Sequence, residues 1–109
     1  MRRAFADFDG TWTNHPEIWE QVEAVVTGES WENYNEFMND WVGPRRPVFF
    51  NPVEDGDLST LTIVSHKSNI INKCNVTKFF EDQQEQVDML QLLCPNTEIV
   101  HVKGEMTYI

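Results

Sequence analysis

The stretch Phe5-Ala6-Asp7-Phe8-Asp9-Gly10-Thr11 places two carboxylates two residues apart, directly after an apolar run. Side chains at i and i+2 of an extended strand point the same way, so Asp7 and Asp9 should face one side. Gly10 then breaks the strand, which puts both acids where a strand ends and a loop begins. Open α/β sheets bind ligands at such places. Neighbouring carboxylates repel each other unless a cation neutralises them, so this pattern favours a hard, oxygen-binding metal such as magnesium.

Length and composition limit the class of protein. The chain has 109 residues, which predicts one domain over residues 1–109, and 40% of them are hydrophobic, enough for a core. No apolar run approaches the ~20 residues of a membrane span, and no secretory signal follows Arg2 and Arg3. Cys74 and Cys94 lack metal-ligand spacing and are interpreted as reduced packing residues. These features predict a cytoplasmic protein without membrane association.

The net charge of the chain limits the binding partners that are expected. The formal net charge is −10, and such a surface repels polynucleotide phosphates and anionic membranes over a Debye length of ~10 Å. Nucleic acid is therefore disfavoured as a partner. A small phosphorylated substrate can still reach a local metal site. The oligomeric state is left open.

Hydrophobic patterning predicts strands and helices in alternation. The predicted strands are residues 3–8, 22–26, 47–50, 76–80 and 98–102. Residues 16–21 form a short helical or turn segment, Ser30 is a plausible N-cap for a helix to about Trp41, and residues 83–93 form an amphipathic helix. This alternation predicts an α/β fold with a parallel sheet and helices on both faces, hence three layers.

The sequence of residues 60–74 is compatible with either a strand or a helix. Leu61-Thr62-Ile63-Val64 has β propensity, but the apolar residues from Ile63 to Cys74 recur at helical spacing, so a helix is predicted. Asn75 is suited to end that helix in a left-handed conformation. Lys67 then falls on the apolar face, where its ammonium group needs an anionic partner.

The opening motif resembles that of the haloacid dehalogenase-like (HAD) phosphohydrolase superfamily, whose first strand ends in Asp-x-Asp-x-Thr, often as Asp-x-Asp-Gly-Thr. The three later motifs of that family are similar to Val-Val-Thr-Gly at residues 25–28, Ser-His-Lys-Ser at 65–68 and Phe-Phe-Glu-Asp at 79–82. The resemblance covers residues 5–102 and is nearest to small phage-encoded or bacterial members. It implies a Rossmann-like sheet of five parallel strands in the order 3-2-1-4-5.

The resemblance also implies a magnesium-dependent phosphatase that hydrolyses phosphate monoesters through an aspartyl-phosphate intermediate. Asp7 would be the nucleophile, and Asp9 would protonate the leaving oxygen and then activate water. Asp7, Asp82 and the backbone carbonyl of Asp9 would hold Mg²⁺. The implied phosphate-binding residues are Thr27, Gly28 and Lys67.

Several positions depart from the family pattern or lack an assigned role. Trp12 replaces a smaller aliphatic residue, and its ring could pack over the site and restrict the substrate. Glu29 stands where related proteins often carry Arg, which removes a cation on the phosphate side. Glu81 is a nearby carboxylate that could support the ligands. His66 is interpreted as a surface or substrate-mouth residue, because hard magnesium prefers oxygen ligands.

The spacing leaves no room for the mobile cap domain that the family commonly inserts between Asp9 and Thr27 or after the third strand, so a capless protein with an open site is implied. Two other functions stay under consideration. One is a weakly active or inactive HAD-fold protein that binds a phosphorylated ligand or a protein partner. The other is a phospho-acceptor receiver domain, which is disfavoured because no Asp follows Phe50-Asn51 at the end of the third predicted strand.

Overall fold

One sheet of five parallel strands organises the chain, as seen in a computed structural model that describes residues 2–103. The strands are β1 Ala4–Ala6, β2 Val22–Ser30, β3 Val48–Asn51, β4 Lys78–Glu81 and β5 Glu98–His101. Their order across the sheet is β3-β2-β1-β4-β5, and every neighbouring pair is parallel. The predicted α/β class, the parallel sheet and the 3-2-1-4-5 order are confirmed.

Helices and short helical turns connect the strands. Within residues 2–103 the α-helices are α1 Tyr34–Asn39, α2 Thr60–Lys73 and α3 Gln84–Leu93. Short 3-10 turns lie at Pro16–Ile18, Trp31–Asn33 and Asp55–Asp57, and one wide turn, with non-helical backbone at Asp9 and Gly10, spans Phe8–Trp12.

The helix predicted around Lys67 is confirmed as α2. It begins at a capping box, in which the Ser59 hydroxyl accepts from the Thr62 amide while the Thr62 side chain accepts from the Ser59 amide. It ends before Asn75, whose φ of 53° is the left-handed conformation expected there. Helical spacing therefore outweighed the β propensity of the first turn, because that pattern buries one continuous side of the segment.

Two core clusters form on the sheet. The first joins Phe5, Val26 and Phe79 to side chains of α2 and α3 and to Cys94, which follows α3; the helix residues include Val64, Ile71, Val87 and Leu90. The second is rich in aromatic rings and joins the wide turn at Phe8–Trp12 to α1; its members include Phe8, Trp12, Phe37 and Phe80. A three-layer arrangement thus forms, with two long helices in one cluster and a short helix with aromatic turns in the other.

The helix predicted from Ser30 to Trp41 is shorter than expected. A 3-10 turn, Trp31–Asn33, precedes α1, and Trp31 and Tyr34 are 55% and 53% exposed. Only Phe37 of the predicted helical face is fully buried. A 3-10 turn has three residues per turn, so side chains before it do not continue the face of the α-helix that follows.

Strand limits also differ from the prediction, and the differences shape the edge where ligands were expected. β1 ends at Ala6, although the Asp7 amide still donates to the Phe80 carbonyl at 3.0 Å. β2 continues past Val26 to Ser30, with an irregular register against β3, so Thr27 lies inside this strand. The longer β2 forms a wall beside the end of β1.

No cap domain follows β1 or β3 in the part of the chain that the structure describes. The connection after β1 holds only turns and loops, and the stretch between β3 and α2 holds one 3-10 turn, Asp55–Asp57. None of the helices in residues 2–103 is long and apolar enough to span a membrane.

Candidate active site

A cavity of about 190 Å³ collects the site residues predicted from the sequence. Its lining includes Asp7, Asp9, Thr27, Gly28, Lys67 and Asp82. Asp7 follows β1 and Asp82 follows β4, while Thr27 and Gly28 lie near the end of β2. The cavity therefore lies at the carboxyl edge of the sheet, where open α/β folds bind ligands.

A larger cavity of about 350 Å³ lies near the amino ends of β1, β4 and β5. Two of its basic residues already face opposite charges: Arg3 lies 3.5 Å from Glu23, and Lys78 lies 3.9 Å from Glu98. Volume alone does not identify a site, and the smaller cavity is the one in which buried ionisable groups converge.

The turn after β1 explains the Gly in the opening motif. The Trp12 amide donates to the Asp7 carbonyl at 3.1 Å, which closes a wide turn around residues 8–12. Gly10 has φ of 78°, a conformation that residues with a Cβ adopt only at a cost. Asp7 is buried and Asp9 is exposed, and both line the same cavity. Both acids reach one cavity, but β1 ends at Ala6, so the turn places them there and the strand alternation expected for residues 7–9 is absent.

Lys67 is the centre of the buried hydrogen-bond network. Its ammonium nitrogen lies 2.9 Å from Asp7 Oδ1, 2.7 Å from Glu81 Oε1 and 2.8 Å from Gln86 Oε1. An ammonium group has three protons, so these three acceptors occupy all of its donor capacity. Lys67 is only 1% exposed, and the anionic partner expected for it is present.

Glu81 binds the Lys67 ammonium and is itself fixed by backbone amides. Its carboxylate is fully buried, and its second oxygen, Oε2, accepts from the backbone amides of Asp82 and Gln83 at 3.2 and 3.3 Å. The sequence indicated Glu81 only as a nearby carboxylate. It gave no signal for Gln86, which reaches Lys67 from the first turn of α3.

Two buried carboxylates therefore face one ammonium. Burial raises the pKa of Asp7 well above its ordinary value, and Lys67 offsets this only in part while Glu81 adds to it. Burial likewise raises the pKa of Glu81, against the opposing effect of Lys67. Burial alone would lower the pKa of Lys67, but Asp7 and Glu81 outweigh it and raise that pKa. The ammonium stays charged, and the group as a whole favours another cation.

The arrangement of oxygens fits a hard metal ion. One carboxylate oxygen each from Asp7, Glu81 and Asp82 lies within 4.8 Å of the others. The Thr11 hydroxyl has one proton but lies 3.2 Å from Asp7 Oδ2 and 3.1 Å from Asp82 Oδ1. A single proton cannot satisfy both carboxylates at once. Since Glu81 is already bonded to Lys67 and to two amides, Asp7 and Asp82 are the better candidates for magnesium ligands.

Asp9 and Glu29 make the outer part of the cavity acidic. Desolvation raises the pKa of Asp9, and the carboxylates of Glu29 and Asp82 raise it further. A carboxyl group with a raised pKa holds its proton closer to neutral pH, as a general acid requires. Glu29 lines the same cavity, so the missing positive charge noted in the sequence is replaced there by a negative one.

Thr27 and Gly28 form the wall that β2 contributes. Thr27 is buried, and its Oγ1 accepts from the Glu29 amide at 3.0 Å, which leaves its hydroxyl proton available. A Cβ at Gly28 would lie 2.7 Å from Ile63 Cγ2, so a larger residue would push on α2. Gly28 lets α2 approach β2 closely, and α2 carries Lys67.

Two expectations about flanking residues are wrong. Trp12 does not cover the site: it is fully buried, stacks with Trp19 at a centroid distance of 5.4 Å, and donates from Nε1 to the Val42 carbonyl. His66 is not a surface residue, because it is 8% exposed and its Nε2 lies 3.1 Å from the Phe49 carbonyl. Burial lowers the pKa of His66, and Lys67 lowers it further despite the Phe49 contact.

Neither family models, nor curated proteins, nor solved structures gave a match to this chain. The resemblance to the HAD superfamily therefore depends on the motifs and on the way the fold brings their residues together.

Proposed function

We propose that this chain is a magnesium-dependent phosphatase of the HAD type, which hydrolyses phosphate monoesters through an aspartyl-phosphate. The observation that carries the proposal is the contact of 2.9 Å between Lys67 Nζ and Asp7 Oδ1 in a cavity that Asp82, Asp9 and Thr27 also line. Phosphoryl transfer depends mainly on positioning and charge neutralisation, and this cavity offers groups for both.

Asp7 is the proposed nucleophile. Lys67 bonds its Oδ1, and the Thr11 hydroxyl, which Asp7 shares with Asp82, lies 3.2 Å from its Oδ2. Attack on phosphorus would form a bond from an Asp7 oxygen to the phosphoryl group while the bond to the leaving oxygen breaks. Lys67 would offset the negative charge that gathers around the phosphoryl group.

Asp9 is the proposed acid and base. Its raised pKa supports donation of a proton to the leaving oxygen, and the resulting carboxylate would then take a proton from the water that hydrolyses the intermediate. Its position at the exposed side of the cavity suits both steps, because the leaving group and the water exchange on that side.

Asp7 and Asp82 would hold magnesium, with the Asp9 backbone carbonyl implied by the family pattern. When bound, the ion would neutralise phosphoryl charge that the carboxylates would otherwise repel. The proposed phosphate contacts from the protein are the Thr27 hydroxyl and backbone groups at Gly28, with the Lys67 ammonium as the positive charge beside them.

The test is hydrolysis of p-nitrophenyl phosphate and a panel of phosphorylated metabolites, with magnesium and with EDTA. We expect magnesium-dependent release of phosphate by the wild type and none above background by Asp7→Asn, which is nearly isosteric. Circular dichroism should show the same fold for both proteins. Normal turnover by a folded Asp7→Asn protein would overturn the proposed mechanism.

A second candidate is a HAD-fold protein that binds a phosphorylated ligand or a protein partner with little catalysis. Glu29 and the acidic outer cavity favour this candidate, because they weaken phosphate binding. Binding of inorganic phosphate in magnesium without turnover of any substrate in the panel would support it over the phosphatase.

A further inference from the structure

Gln86 has a defined amide orientation, because its partner can only donate. Lys67 Nζ lies 2.8 Å from the Gln86 side chain, and an ammonium group accepts no hydrogen bond. The carbonyl oxygen Oε1 of Gln86 must therefore face Lys67. The amide nitrogen Nε2, with two N–H donors, is directed elsewhere.

The Gln86 amide nitrogen has no partner in the described protein. Among residues 2–103, no side chain or carbonyl accepts a hydrogen bond from Nε2. Every fully buried side-chain nitrogen or oxygen in these residues has a partner, so the unpartnered Nε2 is not fully buried. Gln86 is half-buried and lines the same cavity as Asp7, Thr27 and Lys67. Its free donors are therefore available to a molecule in that cavity.

Hydrogen-bond donors that are not already engaged are scarce in this cavity. All three protons of Lys67 are already engaged, and the Gln83 side chain donates to Asp82 Oδ2 at 3.2 Å. The remaining polar lining residues are mostly carboxylates, which repel an oxyanion. An oxygen-rich anion in the cavity would need donors besides Lys67, and the Gln86 amide supplies two without adding charge.

We infer that Gln86 is a substrate-binding residue, whose Nε2 donates to a phosphoryl oxygen while its Oε1 holds Lys67. The inference rests on the proposed function, since it takes the substrate to be a phosphate monoester. It adds a residue from α3 to those that the sequence motifs supply. Through its planar side-chain amide, Gln86 would also link the bound phosphoryl group to Lys67, which lies beside Asp7.

Kinetics with p-nitrophenyl phosphate test the inference. Gln86→Met keeps the length of the side chain but removes both polar functions. Gln86→Glu keeps an acceptor for Lys67 and replaces the donor nitrogen with a carboxylate oxygen, which would repel a phosphoryl oxygen in contact with it. We expect KM, and the inhibition constant of inorganic phosphate, to rise about 10-fold in both variants. The matched control is Gln84→Met, because Gln84 is exposed on the same helix and bonds Asp88 instead. If only Gln86→Met is impaired, Gln86 merely positions Lys67 and the inference is wrong.

A direct readout is the nitrogen-15 signal of the Gln86 side-chain amide, assigned by its loss in Gln86→Met. Titration with inorganic phosphate in magnesium should move this signal saturably and leave that of Gln84 unchanged. An unmoved Gln86 signal overturns the inference even if the enzyme is active. A moved signal in a protein that hydrolyses no phosphate monoester supports the anion contact and overturns the proposed catalysis instead.

Discussion

The inner and outer halves of the candidate site differ in whether the protein itself neutralises their carboxylates. The inner half comprises Asp7, Lys67 and Glu81, which are at most 7% exposed, and its two carboxylates bond one ammonium directly. The outer half comprises Asp9, Glu29 and Asp82, none of them fully buried. Lys67 is the sole lysine or arginine that lines this cavity within residues 2–103.

The difference shows what the fold supplies by itself and what must come from outside. A buried carboxylate without a partner is costly, so the inner half carries its own cation. Exposed carboxylates keep much of their hydration, so the outer half can remain uncompensated in the free protein. A cation and a substrate would then enter at the outer half, and the following predictions test this division.

The largest effect is expected for Lys67→Met. The change leaves Asp7 and Glu81 buried without a cation, so catalysis should be lost and the free energy of unfolding should fall by about 3–5 kcal/mol near neutral pH. Lys73→Met, at an exposed position of the same helix, is the control and should stay within about 0.5 kcal/mol of wild type. Urea denaturation measures both.

The pH dependence of that loss provides a further check. Asp7 and Glu81 have pKa values raised in the folded state, so stability from their protonated forms is present at low pH and is lost as pH rises. The defect of Lys67→Met should therefore shrink on acidification. A defect that is equal at pH 7.5 and pH 5 would show that Lys67 does not neutralise these groups.

Asp9→Asn should reduce catalysis strongly while leaving stability nearly unchanged, because Asp9 belongs to the outer half. With an alkyl phosphate, kcat/KM should fall about 100-fold or more, since the leaving alkoxide needs a proton. With p-nitrophenyl phosphate the loss should be smaller, because nitrophenolate leaves without full protonation. Equal losses with the two substrates would count against Asp9 as the acid.

Asp82→Ala should remove the stabilisation by magnesium. An ion at tenfold its Kd stabilises a protein by about 1.4 kcal/mol, which corresponds to roughly 5–10 °C in Tm for a domain of this size. Wild type should show such a rise in millimolar magnesium, and so should Asp88→Ala, an exposed control on α3. A thermal shift in Asp82→Ala as large as that of wild type would exclude Asp82 from the metal site.

The smallest effect concerns His66, which lies beside the inner half. Its pKa is lowered in the folded state, so the unfolded chain binds a proton first as pH falls below about 6.5 and stability decreases. His66→Gln can keep a donor to the Phe49 carbonyl, and it should lose less stability than wild type between pH 7.5 and pH 5.5. Chemical denaturation at the two pH values measures the difference, and equal losses would contradict the assignment.

Local sequence was sufficient for the framework of the site. The Asp-Phe-Asp-Gly-Thr motif marked the end of β1, and helical spacing placed Lys67 on the buried side of α2. These signals work because a strand has a period of two and a helix one of 3.6, so burial can be read from the neighbours of each residue. The roles assigned to these residues remain predictions.

Contacts between residues far apart in the sequence could not be predicted from these periodic patterns. Gln86 reaches Lys67 from another helix, and His66 is covered by β3, although neither residue lies in an apolar pattern that marks it. Trp12 was misplaced because the turn at Gly10 directs its ring into the aromatic core rather than over the site. The partner of a polar side chain depends on which elements pack together.

The sequence alone thus determined the α/β class, the strand order implied by its motif resemblance, and the main ionisable residues at the carboxyl edge. Only the tertiary structure decided that Glu81 and Gln86 complete the coordination of the Lys67 ammonium. Periodicity reports which side of an element is buried, whereas a hydrogen bond requires two groups from separate elements within about 3 Å. That distance is set by packing between α2, α3 and β4.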